Sequence, residues 1–241
     1  MNSECGYCGA VGPGLEDEHV VPKCLYPSSK ATSKVQRITI PACPSCNRSW
    51  SDDEAHFRNI VLVTGDSNPV VQELWPKAVR SFKICDGQRR LGDVRQLMEK
   101  IDLNGAERWK IYPGRDARIL RVVRKIVRGL SYYHKLGLVP SDNQVWTDVL
   151  KDRIPDELLA SVEFRHREPD IFQYWFEPYD DGELRSIWHL KFYERLSFIA
   201  LVEHKQETQK QPEENTGDYG SPKDGGIGSA SDQMDDALKG A

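Results

Sequence analysis

The chain has 241 residues, 39% hydrophobic and 29% charged, with a formal charge of −4. That balance fits a soluble globular protein of one large domain or two small ones. It excludes a disordered polymer and a membrane bundle, since no stretch approaches the ~18 consecutive apolar residues a bilayer requires. The N-terminal Met-Asn-Ser-Glu-Cys lacks the apolar core of a secretory signal, so the expected compartment is the cytoplasm. Thiols stay reduced there, and six cysteines point to metal ligation rather than to disulfides.

Charge is unevenly placed. Lys77 to Lys135 holds 16 Lys/Arg against 6 Asp/Glu, and Gln206 to Ala241 holds 3 Lys against 8 Asp/Glu. A basic middle with an acidic tail predicts contact with nucleic acid; a solvated charged surface would look the same.

Taken in order, Cys5-Gly6-Tyr7-Cys8-Gly9 reads as a zinc knuckle. His19-Val20-Val21-Pro22 predicts a short strand, Ser28 to Lys34 a polar loop and Arg37-Ile38-Thr39-Ile40 a second strand. Pro44 opens a helix expected to run to about Leu62. Thr64 to Pro69 is the clearest break, and residues 70–110 hold helix-compatible pieces with a turn at Asp86-Gly87. Asp116 to Leu136 predicts an amphipathic helix. At about 100° per residue Ile119, Val122, Val123, Ile126, Val127 and Leu130 share one side, and Arg118, Arg121, Arg124, Lys125 and Arg128 the other. Gly137 is its expected C′ residue. A short helix is expected at Asp156 to Ser161. Phe172 to Tyr179 and Ser186 to Val202 predict a β-hairpin, with Phe192 to Val202 adding a further strand. From about Gln206 the composition predicts disorder.

The thiols carry the sharpest signal. Cys5 and Cys8 form one Cys-x-x-Cys pair, Cys43 and Cys46 the other. Two such turns can supply the four ligands of a closed, structural Zn²⁺ site. The 34 residues between Cys8 and Cys43 leave room for a functional hairpin. Glu18-His19 lies within it, and Asn47 follows the last cysteine.

Cys-x-x-Cys, then Glu-His-Val-Val-Pro-Lys, then Ala-Cys-Pro-Ser-Cys-Asn resembles the HNH endonuclease family across residues 5–58. The resemblance implies a ββα-metal fold and metal-dependent hydrolysis of DNA phosphodiesters. His19 would be the general base on water, and Glu18 and Asn47 would hold a catalytic divalent cation such as Mg²⁺. Hard oxygens suit Mg²⁺, and an imidazole titrating near ~6.5 suits a base at neutral pH. Two departures stand out: Glu18 replaces the usual Asp, and the second strand offers no Asn to orient the histidine, Gln36 being the nearest substitute. The alternative is a zinc-organised nucleic-acid-binding module with weak or no catalysis.

His56, nine residues beyond Asn47, falls on the opposite side of a continuous helix and is set aside. Glu54 falls nearly on the Asn47 side but ~10 Å further along. Asp52-Asp53-Glu54 reads as a solvated acidic turn. His134, His166, His189 and His204 have no ligand-like spacing, and Cys24 and Cys85 read as lone thiols. The expected architecture is therefore α+β in three parts: a zinc-stapled HNH-like ββα module over 1–64, an α+β region with antiparallel strands over 70–205, and a disordered acidic tail over 206–241. The basic residues Arg118, Arg121, Arg124, Lys125 and Arg128 are expected to lie along a DNA backbone.

Overall fold

A computed structural model describes residues 4–30, 37–64, 68–83, 86–151, 154, 164–179 and 182–204, apart from the side chains of 103, 166 and 167. The expected helix at Asp156 to Ser161, the tail from 206, Cys85 and Gln36 lie outside them. The fold is α+β, mixing helices with antiparallel sheet. Among the described residues no helix is long and apolar enough to cross a membrane.

The N-terminal part follows the order strand, strand, helix. β1 (Glu16–His19) pairs antiparallel with β2 (Thr39–Ala42), Glu18 facing Ile40 and His19 facing Thr39. Both strands are offset from expectation, and β1 ends at His19 instead of beginning there. Pro22 leads into a 3-10 turn at Lys23–Leu25, since its ring has no N–H with which to extend a ladder. The helix expected from Pro44 to about Leu62 is two helices. α1 (Pro44–Arg48) stops, Ser49 and Trp50 intervene, and α2 (Ser51–Thr64) begins afresh with Asp52, Asp53 and Glu54 in its first turn. Three carboxylates at the positive end of a helix dipole favour that new start.

α3 (Pro69–Lys83) follows the expected break, with Pro69 at its first position and the Asn68 side chain accepting from the Val70 N–H at 2.8 Å. Asp86 caps α4 (Gly87–Gln96) from a left-handed conformation. β3 (Met98–Leu103) and β4 (Ala106–Ile111) form a hairpin where only helix-compatible pieces were expected. Asn104 and Gly105 between them both have positive φ, the geometry of a tight two-residue hairpin turn.

α5 (Ala117–Tyr133) is the predicted amphipathic helix, and the Asp116 carboxylate accepts from the Arg118 N–H at its start. It ends earlier than Leu136. Lys135, not Gly137, takes the left-handed position just past the end, and the Leu136 N–H closes back on the Ser131 carbonyl. β5 (Val145–Val149), β6 (Arg165–Glu168), β7 (Phe172–Pro178), β8 (Leu184–Phe192) and β9 (Leu196–Glu203) make one antiparallel sheet in the order β5-β9-β8-β7-β6. β7, β8 and β9 match the predicted strands; β5 and β6 add the two edges.

The apolar side of α5 packs on α2, β2, β5 and β9. Phe57 of α2 meets Phe192 edge-on at 5.1 Å, and the Tyr193 hydroxyl donates to the Leu25 carbonyl at 2.8 Å. The hairpin module and the sheet thus share one core, and Met1–Lys205 is a single compact unit. On either side of the boundary expected between 64 and 70, α2 and α3 pack against each other. A Cβ placed on Gly129 would lie 2.9 Å from both Val20 methyl carbons, so α5 approaches the end of β1 as closely as a bare backbone allows.

Candidate functional site

The four expected thiols converge. The Sγ atoms of Cys5, Cys8, Cys43 and Cys46 all lie within 4.8 Å of one another, and Cys8 and Cys43 are 3.8 Å apart. A tetrahedron of thiolates at ~2.3 Å from Zn²⁺ has edges of about 3.8 Å, so the cluster can hold a metal ion such as zinc. The five described cysteines are all free thiols. The pairs meet because backbone hydrogen bonds tie the first knuckle to the end of β2. The Gly6 N–H donates to the Pro41 carbonyl at 2.7 Å, and the Cys43 N–H donates to Cys5 Sγ. Without a metal the thiols conflict. The Ser45 hydroxyl and the Cys46 backbone bring Cys43 down to about 6, whereas burial and neighbouring sulfurs push Cys46 up. A dication removes that conflict by stabilising all four thiolates together.

His19 stands at the end of β1, half-buried, and its Nδ1 has no hydrogen-bond partner among the described residues. No described side chain orients the ring through that nitrogen, in keeping with the absence of an Asn from β2. Burial first, then the charges of Arg37, Lys23 and Lys125, hold the imidazole below its ordinary titration range. The ring is therefore neutral, and able to accept a proton, at neutral pH.

Glu18 points the other way, into the protein, and is 9% exposed. Its Oε1 accepts from Lys125 Nζ, and so does Oε1 of Glu54. The same ammonium donates to the His19 carbonyl at 3.2 Å. Asn47 is elsewhere: its Nδ2 donates to Glu16 Oε2 at 2.5 Å. The residues expected to share a divalent cation are thus engaged separately, Glu18 by a lysine and Asn47 by a different glutamate.

The basic side of α5 is also engaged. Lys125 is fully buried, which corrects its expected place on an open phosphate-binding surface. Arg118 bonds Asp93 and Asp116, Arg121 bonds Asp53 and covers the Trp50 ring at 4.5 Å, and Arg124 bonds Asp142. Arg128 donates to the Tyr7 and Pro140 carbonyls. All five side chains fasten α5 to its neighbours. Asp53 and Glu54 are correspondingly not a solvated turn but the α2 ends of two of these ion pairs. His56, set aside as a ligand, bonds Asp116 at 2.7 Å and is buried with it.

Sequence reasoning missed Glu54 and Lys125. The signal for Lys125 was present: it lies three residues after Val122 and four before Gly129, on the flank of the apolar side. Glu54 was hidden by treating α1 and α2 as one helix, since the break resets the angular phase. No protein-family model matches the chain, and no curated protein or solved structure matches it either.

Proposed function

We propose that the chain is a phosphodiester hydrolase acting on DNA, with His19 as the general base that takes a proton from water. The observation that carries this reading is the state of His19. It stands half-buried at the end of a strand, where burial and the charges of Arg37 and Lys23 disfavour its protonated form. The field that disfavours an imidazolium favours a phosphate anion in the same place. Water held between the ring and that phosphate could lose its proton to His19 as it attacks. The four-thiol cluster is scaffolding in this account, fixing the first knuckle to the end of the β1–β2 hairpin. A divalent cation shared by Glu18 and Asn47 is left out, because Glu18 is engaged by Lys125 and Asn47 by Glu16.

A second reading, a zinc-organised module that binds nucleic acid without cutting it, is favoured by the His19 Nδ1, which has no partner among the described residues. The test is nicking of supercoiled plasmid, with and without Mg²⁺ or Mn²⁺, by the wild type and by His19→Ala. Nicking that disappears with the imidazole supports hydrolysis. Retained DNA binding with no nicking by folded wild type supports the binding module, and equal nicking by both proteins sinks the role of His19.

A further inference from the structure

We propose that the Lys125 ammonium is the resident cation of the Glu18–Glu54 pair, a tethered charge that keeps a divalent metal from binding there. A lysine is almost never fully buried unless it is paired. Lys125 is 0% exposed and its three N–H donors meet three oxygens: Glu18 Oε1, Glu54 Oε1 and the His19 carbonyl. Those acceptors come from β1 and α2, and the lysine from α5, so one ammonium joins three elements. Its hydrogen-bonding capacity is then full, with no position left for water or phosphate.

A divalent cation at this place would need the ammonium to leave, since two carboxylates cannot balance three positive charges packed together. Leaving is hindered by the fixed position of α5. Gly129, one turn on, packs against Val20, and Arg121, one turn back, bonds Asp53. Lys125 is fully buried and is a positioning residue: it holds the Glu18 carboxylate and the His19 backbone in one place.

This deepens the hydrolase reading and rests on it for the role of His19, but the test reads metal binding and not cleavage. The zinc-loaded full chain is titrated with Mn²⁺ at neutral pH and bound Mn²⁺ is measured by electron paramagnetic resonance. Wild type should show no Mn²⁺ site that depends on Glu18. Lys125→Met should gain one, at least roughly tenfold tighter than any in wild type, which is about 1.4 kcal/mol. That site should vanish in Lys125→Met/Glu18→Gln, and Lys125→Arg, which keeps the cation, should not gain it. A wild-type Mn²⁺ site abolished by Glu18→Gln overturns the proposal, as does a folded Lys125→Met that binds no more Mn²⁺ than wild type. If Lys125→Met does not fold, wild type against Glu18→Gln decides alone. Absent nicking with these Mn²⁺ results intact would remove the hydrolase reading and leave the tethered cation standing.

Discussion

Lys125→Met should destabilise the protein by about 3 kcal/mol near neutral pH. The substitution keeps most of the apolar stem but leaves two carboxylates facing each other without a cation. Removing one partner of a buried ion pair costs roughly 3–5 kcal/mol. The lower end applies because Glu54 keeps 19% of its side chain exposed. The deficit should depend on pH. Burial already raises the Glu18 carboxyl above its ordinary value of 4.5, against the pull of Lys125, and losing the lysine raises it further. A carboxyl raised in the folded state contributes stability while protonated, and that contribution is lost as pH rises through the folded value. The deficit should therefore be largest at about pH 7.5 and shrink towards about pH 5. Urea unfolding of wild type and variant at both values measures it. A Glu18→Gln/Lys125→Met double variant should recover part of the loss, since it removes one of the stranded charges. A deficit below about 1 kcal/mol at neutral pH, or one equal at both values, would refute the idea that a buried charge balance is at stake.

Other outcomes follow from the same geometry. Protein purified without added metal should carry about one zinc per chain. Chelation or Cys43→Ser should lower its melting temperature, and uptake of zinc by the stripped protein should release protons, more of them at lower pH, detectable with an indicator dye. Because the His19 imidazole is held below its ordinary 6.5, the acid limb of any plasmid-nicking profile should fall below pH 6.5; a limb at or above that value contradicts the assignment. His189 is 6% exposed, with neither ring nitrogen hydrogen-bonded among the described residues, and burial lowers it to about 4. Its folded value lies below its unfolded 6.5, so stability present above 6.5 should be lost as pH falls towards 4, by up to about 3 kcal/mol. His189→Leu should flatten that decline in urea titrations across the window.

The amphipathic period of α5, the paired cysteines and the aromatic strands β7, β8 and β9 are legible in the sequence because each signal is local. A helix period or a Cys-x-x-Cys turn is decided within a few residues. The β3–β4 hairpin is just as local, carried by Asn104-Gly105, but it lies in a stretch whose other residues suit helices. The candidate site is not local. Whether Glu18 meets Asn47 or Lys125 depends on how closely α5 approaches β1, and Gly129 against Val20 sets that distance. Whether Glu54 joins them depends on the two-residue interruption after Arg48, which no composition rule forces. The same dependence explains why the basic side of α5 reads as an open surface. Five cations on one side of a helix look solvated only while the acids that face them, Asp53, Glu54, Asp93, Asp116 and Asp142 with Glu18, are scattered through the sequence. Once the fold brings those acids to α5, much of the positive charge of that helix is neutralised inside the molecule. On the proposed reading, a phosphate would instead meet the charges of Lys23 and Arg37 that bear on His19.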